Sequence, residues 1–332
     1  MSGSNHLATS IPRSATASTR RPAASCRRWI TCAWAGAAML LALNGGVLGA
    51  DAVVILSADA GHYRQAVEGF RQSSGYRIIE QHDLKGDVNR GSGIMRQVER
   101  DKPDLIFAVG IYALQAAVKS GTDIPVVYAM VLNPPSVIGA GTQNITGASM
   151  NVSVEQTLSI FQRLGNIRRI GTIYDPDETG FLIDEARRQA QQMGMELVAK
   201  EARSPKQAIT AVEELKKADI DALWMVPDPR TLAPNVQEQM LLLSYRKKVP
   251  LLGVSEAQAK MGSMMAIYFG SSEDIGRQAG ELAKLIAQGK SVSEVPFTLA
   301  RTVNVVVNLK AARKMGIDVP QPLLSEANAV IQ

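Results

Sequence analysis

Cysteine and histidine are scarce in this 332-residue sequence, and most of the chain has almost none of either. Both cysteines, Cys26 and Cys32, lie in the first fifty residues, and the rest of the chain contains only two histidines, His62 and His82. This excludes a disulfide framework, a cysteine-ligated metal site and a cysteine nucleophile from residues 51–332. Two histidines are also too few for a histidine-rich metal site, so we expect no metal and no cofactor.

A surplus of charge of one sign is also missing from the body of the chain. The sequence has 36 lysines and arginines against 31 acidic residues, a formal charge of +5. Five of the arginines lie in the first fifty residues, which contain no acid, so residues 51–332 hold 31 basic and 31 acidic side chains. Proteins that bind DNA or RNA need excess positive charge to neutralise phosphates. The sequence therefore predicts that nucleic acid is not a partner.

The first fifty residues have the order of segments that is typical of an export signal. Arg27 and Arg28 precede an apolar run at residues 29–43, and small residues follow at 49–50. The run is shorter than the roughly 20 residues that span a bilayer. We therefore predict a signal peptide that is cleaved near Ala50, with no lipid anchor because no cysteine follows the run. The mature protein is expected in the periplasm.

Beyond residue 50, short apolar runs alternate with helical patterns. Residues 52–56 and 105–109 are continuous apolar runs, as in parallel strands that are buried on both faces. Residues 62–72 carry apolar side chains at helical spacing, and the alternation restarts at residues 169–174. Alternation of this length predicts an α/β fold with two Rossmann-like lobes, whose parallel sheets are covered by helices on both faces.

The order of the elements also predicts the domain boundaries. Residues 1–50 form the signal peptide. Residues 51–149 with about 270–297 form an N-terminal α/β lobe, and residues 150–268 with about 298–332 form a C-terminal α/β lobe. Several strands then cross between the lobes as a hinge. The carboxyl ends of the strands face an interlobe cleft, which is where sheets of this kind bind ligands.

Motifs for enzymatic chemistry are missing. The sequence has no Gly-x-Ser-x-Gly nucleophile elbow and no His-Glu-x-x-His pair. The glycine-rich residues 86–93 lack the Gly-Lys-Ser/Thr ending of a phosphate loop, which favours a surface turn. His62 and His82 are better explained as solvated or capping residues than as general bases. We predict that the protein is not an enzyme.

The loops after the strands remain as candidates for ligand binding. Each of them brings backbone N–H groups and the positive end of a helix, which suits an anion such as a carboxylate. Asp228 and Glu256 are candidates to pair with a ligand ammonium, and the tyrosines to line an apolar part. Alternatively, Asp228 caps the next helix and the tyrosines belong to the core. The predicted ligand-binding residues are Ser57, Gly110, Tyr112, Met130, Tyr174, Asp228, Glu256 and Tyr268.

Several phrases of the sequence resemble one known family. They are residues 103–110, 124–129, 144–147 and 168–176, Tyr268 with residues 276–278, and Pro320 with Leu323 and Leu324. In order and spacing they are similar to the ABC transporter substrate-binding protein family, which includes tryptophan- and tyrosine-type amino-acid receptors. The resemblance covers nearly all of residues 51–332 and implies the fold of a type I periplasmic binding protein.

Departures from the family pattern fall where they bear on the ligand. Ile111 and Tyr112 stand where the family usually has a small polar residue followed by a proline or another small residue, and residues 269–272 lack the acidic residue that is common there. Asp228 is similar to an aspartate of the family, but its neighbours Pro227 and Pro229 differ from those of the family. The resemblance therefore implies the fold but does not carry over the specificity for aromatic amino acids.

Together these features predict an extracytoplasmic solute-binding protein of an ABC importer. A small ligand, an amino acid or a related carboxylate, would bind in the cleft and favour closure of the hinge. Its partner would be an ABC permease in the inner membrane, and we expect a monomer. The alternative is a periplasmic sensing module that signals to a membrane sensor without transport.

Overall fold

The computed structural model describes residues 49–139, 141–229 and 231–332. These residues belong to one compact unit, Val47–Gln332. The predicted signal peptide falls almost wholly outside the described residues. In the described ranges, no helix combines the length and the apolar character that crossing a membrane requires.

The first lobe is built on a five-stranded parallel sheet. Its strands are β1 (Asp51–Leu56), β2 (Arg77–Asp83), β3 (Leu105–Val109), β4 (Val126–Val131) and β5 (Ile145–Ser149), in the order β2-β1-β3-β4-β5. The connecting helices are α1 (Gly61–Ser74), α2 (Gly91–Asp101) and α3 (Ile111–Ser120). β3 and β4 are buried along their whole length, since helices cover both faces of the sheet.

The second lobe is built on a seven-stranded sheet. Its strands are β6 (Arg169–Tyr174), β7 (Glu196–Glu201), β8 (Ala222–Met225), β9 (Leu251–Gly253), β10 (Met265–Phe269), β11 (Val303–Asn308) and β12 (Ala329–Ile331), in the order β12-β11-β10-β9-β8-β6-β7. Its helices are α4 (Val154–Leu164), α5 (Pro176–Gln192), α6 (Pro205–Lys217), α7 (Pro234–Lys247), α8 (Glu256–Met261), α10 (Leu309–Met315) and α11 (Gln321–Glu326). All described pairs in this sheet are parallel except β10 with β11, which is antiparallel.

One helix, α9 (Ser272–Ala287), returns from the second lobe and packs against α1 of the first. The two backbones approach closely through glycines. A Cβ atom at Gly276 would lie 1.9 Å from the carbonyl oxygen of Ala66, and one at Gly69 would lie 2.0 Å from that of Glu273. The hydroxyl of Ser73 donates a hydrogen bond of 2.9 Å to the carbonyl of Arg277. A larger side chain at Gly276 or Gly69 would force the helices apart.

Three chain segments cross between the lobes, after β5, after β10 and before β11, and they are hydrogen-bonded to one another. The amide of Ala300 donates to the carbonyl of Asn151 at 3.0 Å, and that of Gly270 donates to Thr302 at 2.7 Å. The crossings therefore form a three-segment hinge. The predicted α/β fold of two lobes joined by several segments is confirmed, whereas the predicted residue boundaries of the lobes stay a prediction.

Three elements of the second lobe have no counterpart in the sequence-based prediction, namely α4, α11 and β12. α4 begins after Ser153, whose hydroxyl accepts a hydrogen bond from the Gln156 amide, and it buries Leu158 and Phe161. A serine cap before apolar residues at helical spacing is a usable signal of a helix start. The other two elements span six and three residues, too short for a periodic pattern to be detected.

Candidate functional site

Two cavities lie side by side at the carboxyl ends of the strands, between the lobes. The first-lobe cavity has a volume of about 570 Å³ and the second-lobe cavity about 500 Å³. Leu132, Met150, Pro227 and Leu232 line both of them, so the two cavities are neighbouring parts of one interlobe cleft. Volumes of this size suit small organic ligands.

The first-lobe cavity has a mixed polar lining. His62 and Tyr63 of α1 and Gln115 of α3 contribute side chains from the first lobe, and Glu178 of α5 contributes a carboxylate from the second. Burial, and next the neighbouring Tyr112, raise the pKa of the Tyr63 phenol above its ordinary value. Tyr63 therefore stays protonated and neutral at physiological pH.

The end of β4 departs from regular strand geometry beside this cavity. The pairing with β5 shifts register between Ala129 and Val131, and the intervening Met130 has φ of 60°. Asn133 is also left-handed, with φ of 49°. A bulge of this kind re-aims a side chain, and residues in such conformations concentrate at functional sites because the surrounding structure must hold them there. Met130 lines the first-lobe cavity.

A buried amide pair connects the first lobe to the hinge. The backbone N–H of Asn133 donates to Oδ1 of Asn151 at 2.8 Å, and Nδ2 of Asn151 donates back to Oδ1 of Asn133 at 2.7 Å. Nδ2 of Asn133 also donates to the carbonyl oxygen of Pro227, across the cleft in the second lobe. Asn133 thus binds the hinge and the opposite lobe at once.

The second-lobe cavity is predominantly apolar. Trp224, Tyr268 and Phe269 provide aromatic surface, and Met150 and Met261 provide thioethers. Burial is the main cause that raises the pKa of the Tyr268 phenol, and the nearby Glu256 carboxylate adds to it. The lining of this cavity contains no ionisable side chain other than this phenol among the residues that the structure describes.

Of the eight predicted ligand-binding residues, Met130 and Tyr268 line the cavities, on opposite sides of the cleft. The other six are not among the described lining residues, and their surroundings differ from one to the next.

Ser57 and Gly110 form a packed cluster at the start of α3. The Ser57 hydroxyl accepts a hydrogen bond of 3.1 Å from the amide of Ala113. Gly110 has φ of 88°, and a Cβ atom there would lie 2.6 Å from Oγ of Ser57 and 2.7 Å from Oη of Tyr63. The glycine is thus required by its backbone conformation and by the side chains packed on it.

Asp228 is fully buried, and its carboxylate accepts hydrogen bonds from three donors of the second lobe. Its Oδ2 accepts hydrogen bonds from the amide of Asp175 at 2.7 Å and from Oγ1 of Thr179 at 2.8 Å. Its Oδ1 accepts one from the amide of Thr231 at 3.1 Å. The alternative that Asp228 caps the next helix is wrong, because α7 has Ala233 at its N-cap and no side-chain cap. The carboxylate instead connects the loop after β8 to the start of α5.

Tyr174 is also buried, with 4% of its surface exposed, and it packs in the second-lobe core. Its hydroxyl donates to Glu201 at 3.1 Å and accepts from Arg187 at 3.3 Å. By contrast, Tyr112 is 38% exposed on α3, and Glu256 pairs with Lys260 at 2.6 Å on the surface of α8.

Sequence reasoning did not identify Asn133, Asn151 and Trp224. Asparagine tolerates a left-handed backbone, but a proline such as Pro134 favours an extended residue before it, so the local sequence did not reveal the conformation of Asn133. Its partner Asn151 lies eighteen residues away, and only the fold brings the two amides together. In the described ranges, no group of three or more histidines, cysteines and carboxylates is placed to hold a metal ion.

Comparison with known proteins gives one consistent result. The model of the family described as "ABC transporter substrate binding protein" matches residues 52–331. The tyrosine-binding protein of Clostridioides difficile (strain R20291) is 26% identical over 278 residues, which cover 79% of this chain and 78% of that protein.

Solved structures show the same fold. A ligand-free, open substrate-binding protein with adhesive properties from Clostridium difficile superposes with a TM-score of 0.65 at 21% identity, over 85% of this chain and 99% of that one. The ABC domain in complex with L-Trp from Streptococcus pneumonia gives 0.59 at 20% identity, over 84% and 100%. Since the family model spans nearly all of the described residues, the chain belongs to the family of ABC transporter substrate-binding proteins and is a binding protein rather than an enzyme.

Proposed function

We propose that this protein is the extracytoplasmic receptor of an ABC importer and that it encloses a small organic solute between its two lobes. The observation that carries the proposal is the pair of adjoining cavities at the carboxyl ends of both sheets. A ligand there contacts both lobes only when they are close together, so its binding favours the closed state. An ABC permease would then recognise the closed form.

An amino acid or a related carboxylate, the class predicted from the sequence, is one candidate for the solute. The relatives named for tyrosine and for L-Trp support it. Met130 and Tyr268, which line the two cavities, are the predicted residues that we propose to contact the ligand. Export to the periplasm is supported by the apolar segment at residues 29–43.

The proposal is tested by thermal unfolding of the purified protein, after unfolding and refolding to remove any carried-over ligand. The panel contains amino acids, purines, small carboxylates, sugars and uncharged aromatic compounds. A ligand at 100 times its dissociation constant stabilises a protein by about 2.7 kcal/mol, or roughly 5–10 °C in Tm for a protein of this size.

Small-angle scattering then checks whether the stabilising compound also makes the protein more compact. Affinity capture of membrane proteins with the liganded form decides the partner. Capture of a permease supports import, whereas capture of a sensor kinase would overturn the transport part of the proposal. If no compound changes Tm or compactness, the receptor function itself is overturned.

A further inference from the structure

A third cavity lies outside the cleft, at the edge of the first sheet. It has a volume of about 440 Å³ and lies beside β5, the edge strand of that sheet. Its wall combines Tyr128 of β4, Ile145 and Thr146 of β5, and side chains from the segment 292–297. We call it the edge cavity. None of its described lining residues belongs to the two cavities of the cleft.

The edge cavity exists because the returning chain covers only part of β5. The amide of Thr298 donates to the carbonyl of Gly147 at 2.9 Å, and the carbonyl of Thr298 accepts from the amide of Ser149 at 2.8 Å. This bridge is isolated, and the preceding Phe297 lines the cavity instead of pairing with the strand. The first two residues of β5 are therefore left beside a cavity, where the described chain places no further strand.

Two buried hydroxyls belong to the wall of the edge cavity. Tyr128 is fully buried, and Thr146 is 2% exposed. Among the residues that the structure describes, neither Oη of Tyr128 nor Oγ1 of Thr146 finds a hydrogen-bond partner, and the same holds for Oγ1 of the neighbouring Thr298. Buried polar side chains are hydrogen-bonded in most native proteins. Three such hydroxyls beside one cavity therefore point to a ligand that binds them.

The rest of the wall suits an apolar ring or chain. It includes the side chains of Pro134, Pro135, Ile138, Val292, Pro296 and Phe297. Phe297 is 45% exposed, so its ring can move aside as a ligand enters. A hydroxyl both donates and accepts a hydrogen bond, and so does an amide. Either group on an apolar ligand would therefore match the hydroxyls of the wall.

One turn of backbone separates the edge cavity from the cleft. Asn133 and Ser136 line the first-lobe cavity, whereas Pro134 and Ile138 line the edge cavity. Asn133 also donates a hydrogen bond to the opposite lobe. A ligand in the edge cavity would therefore lie directly behind the turn that connects the two lobes.

We propose that the edge cavity is a second ligand-binding site of this protein. It takes a small molecule with an apolar body and a hydroxyl or amide group, which hydrogen-bonds to Tyr128 and Thr146. The inference goes beyond the proposed function, because the site lies outside the cleft and does not depend on the solute that the cleft binds.

Fluorine NMR titrations of the purified protein with two probes test the polar part of this proposal. 4-Fluorophenol carries an apolar ring and a hydroxyl, and fluorobenzene has the same ring without the hydroxyl. We expect 4-fluorophenol to bind about fivefold more tightly, because only this probe forms hydrogen bonds with the buried hydroxyls.

Two variants remove the hydroxyls of the wall one at a time. Tyr128→Phe and Thr146→Val keep nearly the same side-chain shape, so the fold should persist, which thermal unfolding checks. Each should lower the preference for 4-fluorophenol to about twofold or less. Tyr76→Phe is the matched control, since Tyr76 is a buried tyrosine of the same lobe outside the edge cavity. It should leave the fivefold preference unchanged.

Crystals soaked in 4-bromophenol locate the probe, because bromine scatters X-rays anomalously. We expect the bromine in the edge cavity, with the phenol oxygen of the probe within hydrogen-bond distance of Tyr128 or Thr146. Bromine found only in the cleft or on the outer surface overturns the proposal. So does equal binding of the two fluorinated probes, or a fivefold preference that survives in both hydroxyl variants. None of these results touches the receptor function, which fails only when no solute makes the protein more compact.

Discussion

At the scale of single residues, Tyr128 is a polar side chain that is buried in the first lobe. It is fully buried in β4, and its ring lies against Gly147, where a Cβ atom would be 2.5 Å from the ring. No hydrogen-bond partner for its hydroxyl occurs among the described residues. Burial also raises the pKa of the phenol above its ordinary value. A buried hydroxyl without a partner lowers stability, because it has lost its bonds to water.

We therefore expect Tyr128→Phe to leave stability at pH 8 unchanged or to raise it by about 1 kcal/mol. Because burial raises the pKa of this phenol, the unfolded chain loses the proton first, so stability does not change with this group below pH 10 and falls as the pH rises from there toward the folded-state pKa. Above pH 10 the wild type should thus lose stability faster than the variant. Urea unfolding at pH 8 and at pH 10.5 measures both effects.

Tyr76 gives a comparison, since burial raises its pKa to about 12. Tyr76→Phe should flatten the alkaline loss of stability in the same way. A loss of more than about 1 kcal/mol by Tyr128→Phe at pH 8 would indicate that the hydroxyl is hydrogen-bonded in solution.

The candidate site was only partly predictable at this scale. Met130 and Tyr268 lie near the carboxyl ends of β4 and β10, two strands that the apolar runs of the sequence indicate. Their position near the cleft therefore follows from the topology alone. Asp228 follows a strand in the same way, but its carboxylate turns toward Asp175 and Thr179. Strand position predicts where a residue lies, whereas the direction of its side chain depends on partners distant in sequence.

At the scale of elements, the contact between α1 and α9 brings two helix backbones together through glycines. Gly276 and Gly280 are four residues apart on one face of α9, and a Cβ atom at Gly280 would lie 2.0 Å from Oγ of Ser73. Residues with this spacing share a helix face. The pair lets α9 lie directly on the backbone of α1.

We expect Gly276→Ala to destabilise the protein by about 2–3 kcal/mol, because its methyl group would overlap the Ala66 carbonyl and push the helices apart. Gly93→Ala in α2 is the matched control. No atom lies within 4 Å of a Cβ at that site, so the better helix propensity of alanine should stabilise by about 0.5–1 kcal/mol. Tm values from calorimetry should move in opposite directions.

Elements with strong periodicity were predictable, and the misses have physical reasons. β3 is an uninterrupted apolar run, and its predicted bounds, 105–109, agree with the structure. β12 has only three residues, and it becomes a strand only because the C-terminal end of the chain returns to pair with β11, which the local sequence does not reveal. The antiparallel pair of β10 and β11 also follows from the chain crossing to α9 and back, which no local pattern encodes.

At the scale of the whole molecule, the hydrogen bond from Asn133 to the Pro227 carbonyl connects the two lobes across the cleft. Asn133 is buried, with 3% of its surface exposed. Its backbone is left-handed, a conformation that asparagine and glycine tolerate better than other residues. Its amide therefore favours the closed arrangement, and its removal shifts the population toward the open one.

We expect Asn133→Gly, which keeps the backbone conformation, to increase the radius of gyration without ligand and to weaken ligand binding about tenfold. Small-angle scattering and calorimetry measure the two effects. Asn166→Gly is the matched control, since Asn166 has φ of 50° but is exposed between α4 and β6. Equal effects of both variants would show that the lost amide bonds of Asn133 do not favour closure.

The return of α9 to the first lobe also determines the order in which the protein can complete its folding. A growing chain that has reached residue 270 contains all five strands of the first sheet but not the helix that supplies Ile275, Ala279 and Ala283 to its core. Until then the surface around Phe70 stays open to water and to other chains. Contacts between residues this far apart close late and fold slowly. The first lobe, although it begins first, therefore matures only with the second, and this interval is when the nascent chain most needs protection from aggregation.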